Sequence, residues 1–306
     1  MTGERTLDLP SIGLGCAALG RPEVPDETAE ATLASALAAG IDYLDTAPLY
    51  GCGLSERRVG RALARHVGKR PKLSTKIGHV IDMPEGSHMP PSKRRTDFSA
   101  ASVHRSLEQS LERLDVGQID LVYLHDPGPD PTRLDAAVAA LDALRGQGLL
   151  GAIGVGTGSV QAALAAVRRF PIDAVLIAGR LTLLNREAEA ELLDVCAARG
   201  TRLVAGGVFN SGILAADDPS GANYDYAKAD ARQVAIARDL ARACERFNVK
   251  LIEAAIQFAA RHGAVSTTLL GAASPGELAQ CLAAFERKIP QALWLELDKA
   301  IARNAV

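Results

Sequence analysis

The sequence predicts an α/β protein in which short buried strands alternate with amphipathic helices. Eight short apolar runs recur along the 306 residues, and longer segments with helical periodicity separate them. Strands and helices that alternate in this way indicate a parallel sheet joined by crossover helices. A closed (β/α)8 TIM barrel and an open doubly wound sheet both fit this pattern, and periodicity does not distinguish them.

The candidate strands are short and rich in aliphatic residues, as buried parallel strands usually are. In chain order they cover residues 12–15, 41–44, 72–76, 119–124, 152–155, 174–177, 202–205 and 266–270. Apolar residues three and four apart mark one face of a helix. The two clearest faces consist of Val103, Leu107, Leu111 and Leu114, and of Leu134, Val138, Leu141 and Leu144. Asp97 and Ser99 are candidate caps for the first of these helices.

No repeat or linker divides the chain, so we expect one domain over residues 1–306. A segment at about 290–304 predicts an extra C-terminal helix that covers the barrel surface. Two connections, residues 78–98 and 206–227, are long and rich in glycine, proline and charged residues. Loops of this length in a compact domain usually form lids or binding loops.

Composition excludes several classes of protein. The net charge is −2 and no long basic run is present, which argues against a nucleic-acid partner. Residues 1–13 lack the apolar core of a signal peptide, and no apolar run approaches the length of a membrane span. The five cysteines form no C-x-x-C pair, so we expect no disulfide framework and no metal site. These features predict a soluble, cytoplasmic protein; they leave its oligomeric state open.

Four polar residues fall at the ends of successive candidate strands. Asp45 and Tyr50 flank a turn that Pro48 marks as non-helical, while Lys76 and His125 close the next two strands. Taken singly, each has a structural explanation, such as a capping aspartate or a solvated lysine. In a barrel, however, the carboxyl ends of the strands converge on one site, so together these residues predict an active site.

The segments that carry these residues resemble three signature blocks of the aldo-keto reductases. The blocks are DTAPLYG with Ser55 and Glu56, then STK, then SLEQSLERLDVGQIDLVYLH, and the match runs from about Ile12 to about Ala284. Within that family, GLGCAALG and GGVFNSGILA look most like the aldose 1-dehydrogenase branch. The resemblance implies a closed barrel with its site at the strand carboxyl ends.

The resemblance also implies a role for each of the four residues. Tyr50 would transfer the proton, Lys76 would lower the pKa of the phenol, and Asp45 would hold Lys76 in place. An ordinary tyrosine pKa of about 10 is too high for an efficient base at neutral pH, and a nearby ammonium favours the phenolate. His125 would donate a hydrogen bond to the substrate oxygen. Glu56 is interpreted as structural, at a helix start where a carboxylate suits the dipole.

The segment after the last strand predicts a nucleotide site. Ser274, Pro275 and Glu277 form a candidate capping box at the start of a helix, and its free amides suit a phosphate. Family members clamp the adenosine half of NAD(P) here, which makes Gly271 and Ala273 candidate cofactor contacts as well. Relatives that prefer NADP carry lysine or arginine in this loop. This chain has alanine, glycine and Glu277 instead, so we expect NAD to be preferred over NADP.

The nicotinamide end departs from the usual family pattern. Thr157 is the candidate for one carboxamide contact, and Phe209 for an aromatic surface. Asn210 and Ser211, in the loop after the seventh strand, are further cofactor candidates, and Asn210 is also a candidate for substrate hydroxyls. Pro48 and His79 are expected to shape the substrate side of the pocket.

These inferences predict an NAD(P)-dependent oxidoreductase that oxidises an aldose hemiacetal at C1 to the aldonolactone, of the L-fucose or D-threo-aldose type. Three alternatives remain open at this stage. The chain could be a pyridoxal 4-dehydrogenase, an NADPH-dependent aldehyde reductase, or a nucleotide-sensing subunit without catalysis. The only expected partner is a small sugar or other hemiacetal.

Overall fold

A computed structural model describes residues 7–304, in which eight parallel strands close into a barrel. The closed ring excludes the open doubly wound sheet and confirms the TIM barrel. The expected domain spans residues 1–306, of which residues 1–6 and 305–306 lie outside the described part of the chain.

The strands and helices follow the predicted order, with one hairpin added. The strands are Ile12–Gly15 (β1), Tyr43–Asp45 (β2), Lys72–Ile77 (β3), Ile119–His125 (β4), Leu150–Thr157 (β5), Ala174–Ala178 (β6), Arg202–Gly206 (β7), Asn223–Tyr224 (β8), Ala227–Lys228 (β9) and Val265–Gly271 (β10). The helices are Asp26–Ala38 (α1), Leu54–Arg65 (α2), Ala100–Leu114 (α3), Asp135–Gly146 (α4), Val160–Arg169 (α5), Leu192–Arg199 (α6), Ala231–Glu245 (α7), Leu251–Phe258 (α8), Pro275–Glu286 (α9) and Gln291–Asn304 (α10).

Every barrel strand pairs in parallel with its neighbours in the order β1, β10, β7, β6, β5, β4, β3, β2 and back to β1. Since parallel strands bring their carboxyl ends to the same rim, the residues that end β2, β3 and β4 meet there. The hairpin β8–β9 lies in the long connection after β7 and is not part of the barrel.

Two separate cores hold this barrel together, because successive strand residues point to opposite faces. In β4, Val122 and Leu124 belong to the core between strands and helices, whereas Leu121 and Tyr123 belong to a second cluster that fills the barrel. Close packing in the interior requires a glycine on β5: a Cβ at Gly154 would lie 2.5 Å from the Tyr123 ring.

Two predicted features of the helices are confirmed. Ser99 caps α3 by accepting a hydrogen bond from the amide of Ser102, and Asp97 accepts one from the amide of Ser99. The predicted C-terminal helix is α10, which packs against α7. Within the described residues, no helix has the length and apolar character needed to cross a membrane.

Candidate active site

Strand register places Asp45, Lys76 and His125 on the inner face of the barrel. Tyr43 and Tyr123, two residues before Asp45 and His125 on their strands, belong to the interior cluster. Side chains two apart along a strand share a face, so Asp45 and His125 point inwards as well. Ser74, two residues before Lys76, hydrogen-bonds Tyr43 inside the barrel and places Lys76 on the same face.

Lys76 and Asp45 form a buried ion pair. The Lys76 ammonium donates to Asp45 Oδ2 at 2.7 Å and to the backbone carbonyl of Thr46 at 2.8 Å. Only 2% of the Lys76 side chain is exposed. Burial by itself lowers the pKa of Lys76, but the Asp45 carboxylate, together with the Tyr50 and Tyr43 phenols, raises it above its ordinary value. Lys76 therefore remains positively charged inside the barrel.

A glycine-dependent turn places Tyr50 over this charge. The Tyr50 amide donates to the Ala47 carbonyl, and its own carbonyl accepts from the Ser55 amide in the first turn of α2. Gly51 has a φ of 63°, and a Cβ there would lie 2.0 Å from the Gly20 carbonyl oxygen. The backbone thus fixes the ring, and the Lys76 ammonium lies 4.9 Å from the Tyr50 ring centroid.

The proton affinity of Tyr50 reflects two opposed effects. Burial raises the pKa of the Tyr50 phenol to about 12, and the charge of Lys76 works against this increase. Lys76 lowers the pKa of Tyr50, as predicted, but the predicted net lowering is wrong, because burial has the larger effect. In the free protein Tyr50 is a phenol that only a nearby positive charge can help to ionise.

His125 is a neutral imidazole at the rim. Burial, with the positive charge of Lys76 added, lowers the pKa of His125 to about 3, although the Asp126 carboxylate pulls in the other direction. Its ring lies 6.2 Å from the Tyr50 ring, centroid to centroid, in an edge-on arrangement. A neutral imidazole in this place can donate or accept a hydrogen bond without carrying charge.

His79 and Asp126 extend the polar side of the site beyond His125. The His79 and His125 rings lie 4.7 Å apart and are almost perpendicular. Asp126 Oδ2 lies 3.6 Å from His79 Nε2 and 3.8 Å from His125 Nε2. Both ring nitrogens of His79 are buried and, within the described part of the chain, lack a partner at hydrogen-bond distance. This edge of the site therefore offers polar atoms that a ligand can satisfy.

A chain of three hydroxyl groups, which the sequence motifs do not reveal, holds the Asp45 carboxylate in place. Ser74 donates to Asp45 Oδ1 at 2.6 Å, and the Tyr43 hydroxyl bonds to Ser74 at 2.8 Å and to the Tyr123 hydroxyl at 3.2 Å. The chain of hydroxyls leaves Oδ2 free for Lys76. The sequence does contain a signal for this chain, because each of its three residues lies two positions before a site residue on the same strand.

Glu56 ties the helices behind the site together, as its structural interpretation implied. It is completely buried in the first turn of α2, and its two carboxylate oxygens accept from Thr75 Oγ1 at 2.6 Å and from Arg113 Nε at 2.7 Å. Because Thr75 precedes Lys76 on β3, this contact links α2 and α3 to the strand that carries the ammonium.

The start of α9 fits the phosphate of a nucleotide, though by a different arrangement from the one expected. Ser274 caps the helix by accepting from the Glu277 amide at 3.2 Å. Glu277 does not return the bond to Ser274, as a capping box requires, but accepts from the Ala273 amide at 2.8 Å. The predicted capping box is therefore wrong: Glu277 tightens the loop one residue earlier.

Open space remains in front of this loop. A Cβ at Gly271 would meet no atom within 4 Å, and one at Gly276 would meet only Ser274 Oγ, at 4.0 Å. The side chains around the helix start are small, so a dinucleotide can approach its backbone closely, and a helix N-terminus favours a negatively charged phosphate. The backbone and the small polar side chains of this loop fit a phosphate and a ribose. The segment from Gly271 to Glu277 contains no lysine or arginine.

The remaining cofactor candidates lie around the ends of β5 and β7. Thr157 ends β5, is buried, and accepts from the Ser159 amide. Phe209 is half-buried. Asn210 is 2% exposed, and its side chain is engaged within the protein, with Thr182 Oγ1 at 2.5 Å and the Gly179 carbonyl at 3.1 Å. Asn210 thus joins the loops after β6 and β7 in this conformation. Ser211 is exposed.

The hairpin β8–β9 brings a tyrosine to the mouth of the site. Tyr226 is 93% exposed, and its amide donates to Ser211 Oγ. Asp225 beside it forms an ion pair with Arg180, from the loop after β6, at 2.8 Å. The remaining substrate candidate, Pro48, is buried within the turn between Asp45 and Tyr50.

Comparisons with known proteins agree with this geometry. A D-threo-aldose 1-dehydrogenase from Pseudomonas sp is 36% identical over 313 residues, which cover 96% of this chain and 94% of that protein. A pyridoxal 4-dehydrogenase from Microbacterium luteolum is 35% identical over 326 residues, which cover 96% of this chain and 95% of that one. The solved structure of a glycerol dehydrogenase from Gluconobacter oxydans superposes with a TM-score of 0.80 at 26% identity, covering 98% of this chain and 94% of the other.

The sequence model of the Aldo/keto reductase family matches residues 11–302, and NAD(P) is the typical cofactor of that family. The D-threo-aldose 1-dehydrogenase and the pyridoxal 4-dehydrogenase match the branch of the family that the sequence motifs indicated. The buried Lys76–Asp45 pair beside Tyr50 and His125 agrees with the family match. This protein belongs to the aldo/keto reductase family and is an oxidoreductase.

Proposed function

We propose that this protein oxidises an aldose hemiacetal at C1 to the lactone, with NAD as the preferred cofactor. The observation that supports this most is the polar side of the site, where His79 and Asp126 stand beside His125. A sugar carries hydroxyls next to its reacting carbon, and buried donors and acceptors without partners favour such a substrate over an apolar one. The similarity to a D-threo-aldose 1-dehydrogenase supports the same class.

Each residue has a defined part in this reaction. His125, uncharged, donates a hydrogen bond to the hemiacetal oxygen and orients it. The Tyr50 phenolate takes the proton of the C1 hydroxyl, and Lys76 stabilises that phenolate by its charge. Asp45 keeps Lys76 protonated and in place. NAD, when bound, supplies the acceptor for the hydride that leaves C1, so that the hydroxyl becomes the lactone carbonyl.

The preference for NAD rests on the loop before α9. Glu277 is exposed at the helix start, and the open positions in front of the loop carry no basic side chain. The 2′-phosphate of NADP would find a carboxylate there and no cation to balance its charge. The ribose hydroxyls of NAD suit a carboxylate acceptor.

A second candidate is the oxidation of pyridoxal, whose cyclic hemiacetal presents the same reacting group. The similarity to a pyridoxal 4-dehydrogenase, at 35% identity, favours it almost as much as the first. In an aldose the carbon bonded to C1 carries a hydroxyl, whereas in pyridoxal that carbon belongs to the aromatic ring and the hydroxyl lies one carbon further away. His79 and Asp126 therefore distinguish the two candidates chemically.

The function is tested by following NAD reduction with L-fucose, L-galactose, D-arabinose and pyridoxal as substrates. We expect turnover with at least one of the sugars at a kcat/KM above that of pyridoxal. Turnover of pyridoxal alone would select the second candidate. Turnover of none of these with either NAD or NADP, by a protein that binds the cofactor, would contradict both.

A substrate analogue tests the part assigned to His79 and Asp126. For the best sugar, we expect the 2-deoxy form to react with a kcat/KM about tenfold to a hundredfold lower, because polar atoms in the site are left unpaired. In His79→Phe the difference between the two sugars should largely disappear. An equal kcat/KM for both sugars in the unaltered enzyme would show that this edge of the site does not contact the neighbouring hydroxyl.

A further inference from the structure

The side chains of His79, His125 and Asp126 have the composition of a metal site. Their ligand atoms, one from each residue, all lie within 4.8 Å of one another. Two imidazoles and one carboxylate are a frequent ligand set for zinc and its first-row neighbours. This cluster has no signature in the sequence, because the three residues follow no metal-binding spacing and meet only through the pairing of β3 with β4.

We propose that His79, His125 and Asp126 bind one zinc ion or a similar first-row divalent metal ion, and that the bound ion inhibits the enzyme reversibly. The ion would take the nitrogen of His125 that the substrate oxygen needs. The bound ion has no part in the reaction.

The distances suit such an ion after a small contraction. Asp126 Oδ2 lies 3.6 Å from His79 Nε2 and 3.8 Å from His125 Nε2. In a tetrahedral shell with bonds of about 2.0–2.1 Å, neighbouring ligand atoms lie roughly 3.3–3.5 Å apart. A side-chain movement of a few tenths of an ångström closes the two Asp126 distances. The histidine nitrogens, which lie within 4.8 Å of each other, must approach further, by rotation of the two rings. The perpendicular arrangement of the two rings lets both imidazole edges face a common centre.

His79 provides the independent sign that a ligand belongs here. Its side chain is only 7% exposed. Among residues 7–304 its Nδ1 has no hydrogen-bond partner, and its Nε2 has only the Asp126 carboxylate at 3.6 Å, beyond hydrogen-bond distance. A buried polar group without a partner costs free energy, which a bound ligand recovers. Asp126 is 48% exposed by contrast, so an ion from solvent can reach the cluster along its side.

The backbone holds the ligands in advance. His79 pairs with Thr96 across an isolated bridge of the long loop after β3, and the Asp126 amide donates to the Gly156 carbonyl on β5. Asp126 also has a positive φ of 46°, which turns its side chain out of the strand direction. An arrangement fixed in this way loses little conformational entropy when the ion binds.

The test is calorimetric titration of the full-length protein, freed of any histidine tag, with zinc chloride in a buffer that does not chelate. We expect one ion per chain, and binding at least tenfold weaker in His79→Gln and in Asp126→Asn. His104→Gln removes an exposed histidine elsewhere, and Cys52→Ser removes a thiol that directly follows the catalytic turn in sequence. Both variants should bind zinc as the unaltered protein does. Magnesium chloride should give no heat at the same concentrations, because imidazole ligands do not suit that ion.

Two results would overturn the proposal. One is no zinc binding by the unaltered protein; the other is binding that both His79→Gln and Asp126→Asn leave unchanged, which would mean an adventitious ion elsewhere on the chain. Thermal unfolding without metal shows that each variant is folded, and Asp126→Asn changes a half-exposed side chain if His79→Gln does not fold. Neither measurement needs a substrate, so failure of the proposed sugar oxidation would not affect the outcome.

Inhibition is then measured with whichever substrate the enzyme turns over. Zinc should lower kcat/KM in competition with that substrate, and a chelator should restore it. In Asp126→Asn the zinc concentration that halves kcat/KM should rise at least tenfold. Zinc that binds at the cluster but leaves kcat/KM unchanged would contradict the inhibitory part of the proposal.

Discussion

The phenol of Tyr50 has a proton affinity that a base for neutral pH would not have. Burial raises its pKa to about 12, while Lys76, 4.9 Å from its ring centroid, acts in the opposite direction. For oxidation the phenolate is the active form. The buried ammonium is thus the residue on which the reactivity of Tyr50 depends, and Asp45 matters because it keeps that ammonium charged.

This balance predicts the pH dependence of oxidation. Because the base must lose its proton, kcat/KM should rise with pH from neutral into the alkaline range, towards the pKa of Tyr50. Since Lys76 lowers that pKa, its removal raises it. In Lys76→Met the same rise should therefore be found at higher pH, with a much lower kcat/KM at neutral pH.

The control for this change is the double variant Asp45→Asn, Lys76→Met, which leaves no unpaired carboxylate in the barrel. Its profile should also lie at higher pH than that of the unaltered enzyme. A profile that is flat between neutral and alkaline pH, or that Lys76→Met does not move, would contradict the part given to Lys76. The measurement is kcat/KM against pH at a fixed NAD concentration.

The four candidate catalytic residues could be predicted from the sequence, but their support could not be predicted as easily. Asp45, Tyr50, Lys76 and His125 stand out because each is a polar group beside an apolar run. Ser74 also lies within such a run, but its meaning depends on register, which places it beside Tyr43 and Asp45. The pKa of Tyr50 depends on burial, and burial at a turn has no signature in the sequence.

Among the elements, the contact of α2 and α3 with β3 gives the site its rigidity. Glu56 is the centre of this contact, because it joins Thr75 on β3 to Arg113 on α3. In Glu56→Ala, we expect a free energy of unfolding lower by about 3–5 kcal/mol, since a largely buried guanidinium loses its partner. Chemical unfolding measures this loss.

An exposed ion pair offers the matched control. Glu296→Ala removes the partner of Lys299, whose side chain is 64% exposed, and should cost at most about 1 kcal/mol. If Glu56→Ala were no more destabilising than Glu296→Ala, Glu56 would not be the tie between these elements.

The first turn of α9 carries the cofactor prediction. Gly276 has open space where a side chain would begin, so an arginine can be added there without displacing its neighbours. In Gly276→Arg, the ratio of kcat/KM for NADP to that for NAD should increase at least about tenfold, because the guanidinium can pair with the 2′-phosphate. Steady-state kinetics with both cofactors gives the ratio.

Gly276→Gln serves as the control, because it adds a side chain of similar reach without charge. It should leave the ratio within a few-fold of its original value. A clear preference of the unaltered enzyme for NADP would contradict the assignment of Glu277 and the small residues around it to NAD.

Element bounds show where local patterns mislead. The strand expected at 41–44 is Tyr43–Asp45, because Ile41 closes the end of α1 by donating its amide to the Ala36 carbonyl. The strand expected at 152–155 is longer, Leu150–Thr157, because its glycines weaken the apolar signal at both ends. The hairpin β8–β9 was not predicted, since its strands have two residues each and no apolar pattern.

For the whole molecule, closure of the barrel is what turns a chain of motifs into one site. Asp45, Lys76 and His125 come from three strands that pair directly, and the pairing of β1 with both β2 and β10 brings the loop after β10 to the same rim. Alternation of strands and helices could predict the parallel sheet but not its closure, because an open sheet has the same local pattern. The resemblance to a family supplied that step, and the ring of strand pairs confirms it.

The central claim is that Tyr50 transfers the proton under the charge of Lys76. The most direct test is the kcat of Tyr50→Phe, with NAD affinity measured alongside by titration calorimetry. The account predicts a kcat about 10²–10⁴-fold lower, with an NAD dissociation constant within a few-fold of the original, because the ring remains and only the hydroxyl is lost. A variant that keeps most of its kcat would contradict the account.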